Sequence, residues 1–69
     1  MRKLQKWVKE YGVEKLALKL GVSSFAVRYW TSRKGIPRVP IMRALVKLSK
    51  GVLTIEDVIN DSYPDEVGE

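Results

Sequence analysis

Between Val13 and Ser32 the chain places Ala17, Gly21, Val27 and Trp30 at the spacings required by two short helices that cross about a tight turn. Ala17 falls where the two helices approach closely. Gly21, four residues on, falls where the turn favours a residue without a Cβ. Val27 and Trp30 face back onto the first helix of the pair, inside an apolar frame of Leu16, Leu20 and Val22. The other side of the second helix is left free to enter a groove of nucleic acid.

The flanking sequence extends the helical pattern. A first helix is expected over about Arg2 to Tyr11, with Leu4, Trp7, Val8 and Tyr11 as its inward stripe and Lys3, Lys6, Lys9 and Glu10 around the other side; Gly12 closes it. So short a stripe, followed at once by more helix, argues against a membrane-surface helix. The second helix covers about Val13 to Leu20. Ser23 or Ser24 caps the third, which runs to Thr31 or Ser32, and the loop from Ser32 to Pro37 follows with Gly35 as its helix-ending residue. Pro40 opens a fourth helix whose stripe is Ile41, Ala44, Leu45 and Leu48; it continues to Lys50, and Gly51 ends it. Thr54-Ile55-Glu56-Asp57 resembles a capping sequence with Asp in place of Glu and starts a short fifth helix through Ile59. The alternative there is a strand, because Val52, Leu53, Thr54 and Ile55 are mostly β-branched. From Asn60 onward too few apolar groups remain to pack. The expected architecture is an all-α domain of four to five helices over residues 1–60 and a flexible acidic tail over residues 61–69.

Charge is distributed unevenly along this frame. The 69 residues carry a net charge of +5, yet residues 1–50 hold all 13 Lys and Arg with only Glu10 and Glu14, whereas residues 51–69 hold six acids and no base. A basic body of this kind is the electrostatic footprint of a protein that meets a polyanion. The chain has no Cys and no His, so disulfides, thiolate nucleophiles, imidazole bases and the common zinc sites are excluded. No enzyme, cofactor or metal site is expected. The apolar runs are too short for a membrane span or a signal peptide, so the expected compartment is the cytoplasm and no membrane partner is expected.

At about 100° per residue, the inward side of the third helix takes Ala26, Val27 and Trp30, and the outward side takes Phe25, Arg28 and Ser32, with Ser24 and Tyr29 flanking them. These five outward residues are the candidates for reading bases. In a major groove Phe25 suits a thymine methyl, Arg28 suits guanine O6 and N7, and the hydroxyls of Ser24, Tyr29 and Ser32 suit base edges or phosphates. The plainer alternatives are that Phe25 and Tyr29 pack on the loop at Ile36 and that Arg28 is a solvated charge. Lys15, Lys19, Ser23, Arg33, Lys34 and Arg38 are the candidates for phosphates, which supply affinity without selecting sequence. Arg43, Lys47 and Lys50 form a solvated face.

The run G-V-E-K-L-A-L-K-L-G-V-S-S-F-A-V-R-Y-W, the following R-K-G-I-P and the A-L-V-K-L-S-K-G-V-L-T-I-E-D-V segment together resemble the Cro/YdaS-type helix-turn-helix proteins of the lambda-repressor-like class, over roughly Tyr11 to Ile59. That resemblance implies a small transcriptional regulator of phage, plasmid or prophage type that binds operator DNA, commonly as a dimer. It places the recognition positions on Ser24, Phe25, Arg28 and Tyr29. Phe25 stands where such proteins often carry a polar residue, so an operator preference does not transfer. A helical Val52–Ile59 segment would also depart from Cro proteins whose C-terminal part pairs as strands.

The function expected from these features is sequence-specific double-stranded DNA binding as a repressor or related regulator. A protein-interaction module using Phe25, Tyr29 and Leu18, and a nonspecific nucleic-acid-binding protein, are the alternatives. One small recognition helix spans few base pairs, so a weak homodimer is expected. Met42 and Val46 on the fourth helix, with the Val52–Ile59 segment, are its candidate surface. If the fifth helix instead covers Met42 and Val46 within one chain, pairing occurs only on DNA.

Overall fold

A computed structural model of the protein describes residues 2–64 and contains five helices: α1 Lys3–Tyr11, α2 Val13–Leu20, α3 Ser24–Thr31, α4 Val39–Leu48 and α5 Ile55–Ser62. No strand forms among the described residues: residues 52–54 are the approach to α5, which Ile55 begins. No helix among them is long and apolar enough to cross a membrane.

The apolar stripes meet in one core. Leu4 and Val8 from α1, Leu16 and Ala17 from α2, Val27 from α3, Met42 and Leu45 from α4, Leu53 from the linker and Val58 from α5 are all buried together. Each fully buried Leu or Val contributes roughly 1.5–3 kcal/mol of transfer free energy. Trp7, Tyr11, Trp30, Val46 and Ile59 pack around this centre. Met42 and Val46 are therefore not spare apolar surface: α4 lies against α5, and Met42 is only 8% exposed. Met42 is therefore part of the core, and Val46 is half-buried beside it, as the single-chain alternative has it.

Gly12 alone separates α1 from α2. Its φ of 104° is strained for any residue with a side chain, and its N–H and carbonyl serve both helices, donating to Val8 O at 2.9 Å and accepting from Leu16 N at 2.9 Å. Gly21 takes the left-handed conformation at the end of α2, with φ 72°. The third helix ends differently from expectation. Arg33, not Gly35, adopts positive φ (60°), and the Arg33 and Lys34 N–H groups return to Trp30 O and Tyr29 O at 3.0 and 3.1 Å. These paired bonds satisfy the last carbonyls of α3. At α4, Arg38 is the N-cap, so the helix begins at Val39 with Pro40 in its first turn; it ends at Leu48, short of Lys50. Ser49 Oγ then donates to Val46 O (2.8 Å) and accepts from Leu53 N–H (3.0 Å), which turns the buried Leu53 inward.

Thr54 and Asp57 form the expected capping box at α5: Thr54 Oγ1 accepts from Asp57 N–H at 3.0 Å, and Asp57 Oδ2 accepts from Thr54 N–H at 3.1 Å. The Thr54 N–H bond, with Lys3 beside it, holds the half-buried Asp57 carboxyl below its ordinary pKa. A lowered carboxylate stabilises the fold above its unfolded value, and the gain disappears as pH falls through the folded value. Asp57→Asn keeps an acceptor but cannot titrate. Its melting temperature is expected to lie below that of the wild type at neutral pH and to converge with it in acid, which thermal melts across that range would check.

The expected boundary at residue 60 is corrected. α5 continues to Ser62, and both Asp61 and Ser62 are buried. Asp61 is polar in sequence yet belongs to the fold because α1 lacks a side-chain cap of its own: Asp61 Oδ2 accepts the Leu4 N–H at 3.1 Å, with Arg2 Nη1 3.7 Å from Oδ1. Ser62 Oγ donates back to Val58 O at 2.6 Å. Residues 65–69 of the expected tail lie outside the described residues.

Candidate nucleic-acid interface

The turn Gly21-Val22-Ser23 delivers α3 onto α2. Val22 N–H donates to Ala17 O at 3.0 Å, and Ser23 Oγ accepts from Ala26 N–H at 3.1 Å, capping the first turn of α3. Val27, fully buried, fixes the rotation of the helix about its axis. Its other end is fastened by two long-range contacts. Gln5 Nε2 donates both to Thr31 O (3.0 Å) and to Asp61 O (2.7 Å), while Arg33 Nε donates to Tyr63 O at 3.0 Å. α3 is thus held at both ends with one face outward.

On that face Phe25 is 73% exposed, Tyr29 is 42% exposed, Arg28 and Ser32 are exposed, and Ser24 is half-buried at the helix start. Phe25 and Tyr29 lie one turn apart with ring centroids 6.1 Å from each other and planes tilted by 36°. Together with Arg28, Ser32 and Lys34 they line an open notch of about 260 Å³ with aromatic walls and cationic ends. The plainer expectation, packing on the loop at Ile36, divides between the two rings: Phe25 stays largely exposed, whereas Tyr29 packs on that loop at Gly35. Tyr29 lies against the Gly35 backbone, where a Cβ would overlap its Cε2 atom. Gly35 is required for that close approach, and neither this contact nor the diversion of Arg33 has a local signal in the sequence.

The candidate phosphate-binding residues divide into two groups. Lys34 and Arg38 are exposed on the loop and at the cap of α4, and Lys19 is exposed in the last turn of α2. Lys15 is exposed with Nζ 5.3 Å over the Tyr11 ring. Ser23 and Arg33 are already engaged: the Ser23 hydroxyl caps α3, and the half-buried Arg33 ties the loop to Tyr63. Arg33 thus also fastens the C-terminal end of α3, through its Nε–H. Two ion pairs, Arg2–Asp61 and Lys3–Asp57 at 3.7 Å each, join the start of α1 to α5. Lys19, Arg28, Lys34 and Arg38 form no ion pair with a described residue, whereas Asp57 and Asp61 of α5 are paired with the start of α1.

Comparisons with protein-family models, with curated proteins and with solved structures return no match for this chain.

Proposed function

We propose that the chain is a sequence-specific double-stranded DNA-binding transcriptional regulator, a repressor of Cro/YdaS type, that reads the major groove with residues 24–32. The observation that carries this reading is the outward face of α3, where Phe25, Arg28, Tyr29 and Ser32 stand exposed on a helix fastened at both ends. A helix of this width fits the major groove, and these side chains suit base edges, while Lys19, Lys34 and Arg38 flank them for phosphates. It acts in the cytoplasm, and two copies pair weakly, on DNA, across half-sites about one helical turn apart.

Selection of bound sites from random duplex DNA, with affinity measured across salt concentrations, tests this. A defined preferred site with a steep salt dependence is expected; binding that ignores sequence would leave only a nonspecific nucleic-acid-binding protein. Leu18, 85% exposed on α2, is the observation that favours a second reading, a protein-interaction module. Weak DNA binding with little salt dependence would support that one. Lys34→Ala or Arg38→Ala is expected to weaken binding to all duplexes alike and to reduce the slope of log K against log salt by about 1. Titrations on the selected site and on a random duplex would check it.

A further inference from the structure

We propose that the Phe25–Tyr29 pair is a subsite for the 5-methyl group of a pyrimidine, one that takes either thymine or 5-methylcytosine, so that cytosine methylation changes binding to the site. The inference rests on the DNA-binding reading and deepens it by naming the base and its modification.

One wall of the notch is held in place by the loop. Tyr29 is lodged against the Gly35 backbone, and Phe25 lies 6.1 Å from it at a 36° tilt, so the two rings present an apolar angle to solvent. Phe25 leaves 73% of its surface in water, and no described residue covers it. The major-groove edges of the bases offer one apolar group, the methyl on C5 of thymine; guanine presents two acceptors, adenine an acceptor and an amino donor, and cytosine an amino donor. A phenyl ring against those polar groups would strip them of water without replacing the hydrogen bonds. A methyl on C5 of cytosine occupies the same ring position as that of thymine and offers the same surface. The pair therefore recognises the C5 methyl that the two bases share.

Arg28 sets the neighbour. It lies three residues beyond Phe25, about 4.5 Å along the helix axis, close to the spacing of about 3.4 Å between stacked bases. Its guanidinium suits guanine O6 and N7, so the favoured step is a 5-methylated pyrimidine beside guanine. Lys34, which also lines the notch, adds positive charge beside it.

The test uses the full chain and the duplex chosen by selection. Each thymine is replaced singly by uracil, which removes only the methyl. At one or two positions affinity is expected to fall about fourfold, the equivalent of one buried methyl at about 0.8 kcal/mol. At the same positions a cytosine·guanine pair is compared with 5-methylcytosine·guanine, and the methylated duplex is expected to bind about fourfold tighter. Phe25→Ala, a change at an exposed position, is expected to erase both differences while leaving the salt slope unchanged. Phe25→Leu, which keeps apolar surface, is expected to retain part of them. A preferred site whose thymines all tolerate uracil, or a methyl effect that persists undiminished in Phe25→Ala, would overturn the subsite and leave the DNA-binding reading standing. The absence of any preferred duplex would overturn both.

Discussion

Gln5→Glu is expected to destabilise the protein by roughly 3 kcal/mol or more at neutral pH and to recover part of that loss in acid. The two hydrogens of Gln5 Nε2 are both used, on Thr31 O and on Asp61 O, while Oε1 is buried without a hydrogen-bond partner. A carboxylate there would turn an oxygen onto two carbonyl oxygens and leave both acceptors without a donor. A domain of this size is stabilised by roughly 3–10 kcal/mol in all, so much of the folded population would be lost. The burdened carboxyl would have its folded pKa raised, because only its protonated form can donate to a carbonyl. The variant's deficit relative to wild type is therefore full above that raised value and shrinks as pH falls through it. Denaturation of both proteins at neutral and acidic pH measures this. An unchanged midpoint at neutral pH would mean that the side chain of residue 5 does not bridge α3 and α5.

Arg28→Ala is expected to cost about 1–3 kcal/mol on the preferred duplex and to relax discrimination at one base pair, with a much smaller loss on random DNA. The position is exposed on α3 and forms no ion pair with a described residue, so stability should change little. A simple solvated cation in that place would contribute equally to every sequence. Equal losses on specific and random duplexes would accordingly remove Arg28 from the base-reading set. Competition binding at a single fixed salt concentration separates the two outcomes, because nonspecific affinity moves steeply with salt.

What the sequence made legible was local. Ala17, Gly21 and Val27 sit where their spacing placed them, with Ala17 and Val27 buried and Gly21 left-handed, because a helical repeat and a tight turn are properties of neighbouring residues. The capping box at Thr54 and the outward set on α3 were legible for the same reason. Contacts across the chain were not. Asp61 reads as part of an acidic tail until its partner, the Leu4 N–H, is known to lie 57 residues away. Arg33 reads as one more surface cation, although its guanidinium meets Tyr63 O, 30 residues on. Gly35 reads as a helix stop because glycine often serves that purpose, whereas its use here is the space it leaves for the Tyr29 ring. Met42 reads as surplus because the helical wheel of α4 alone does not reveal that α5 lies against it.

The one-residue corner at Gly12 constrains how chains with this fold can vary in length. A residue inserted into α1 turns everything beyond it by about 100°, and a single-residue joint has no slack with which to undo that rotation. Leu4 and Val8 would then swing out of phase with Leu16 and Ala17, and no adjustment of side chains would bring both pairs back to the same centre. The segment between α3 and α4 is different: residues 32–38 form no helix, so an added residue there, away from Arg33, Gly35 and the buried Pro37, rotates no helix out of phase. Insertions and deletions should therefore collect after α3, beside the surface proposed to meet DNA, while the span from Lys3 to Leu20 keeps a fixed length and acts as the ruler against which α3 is set.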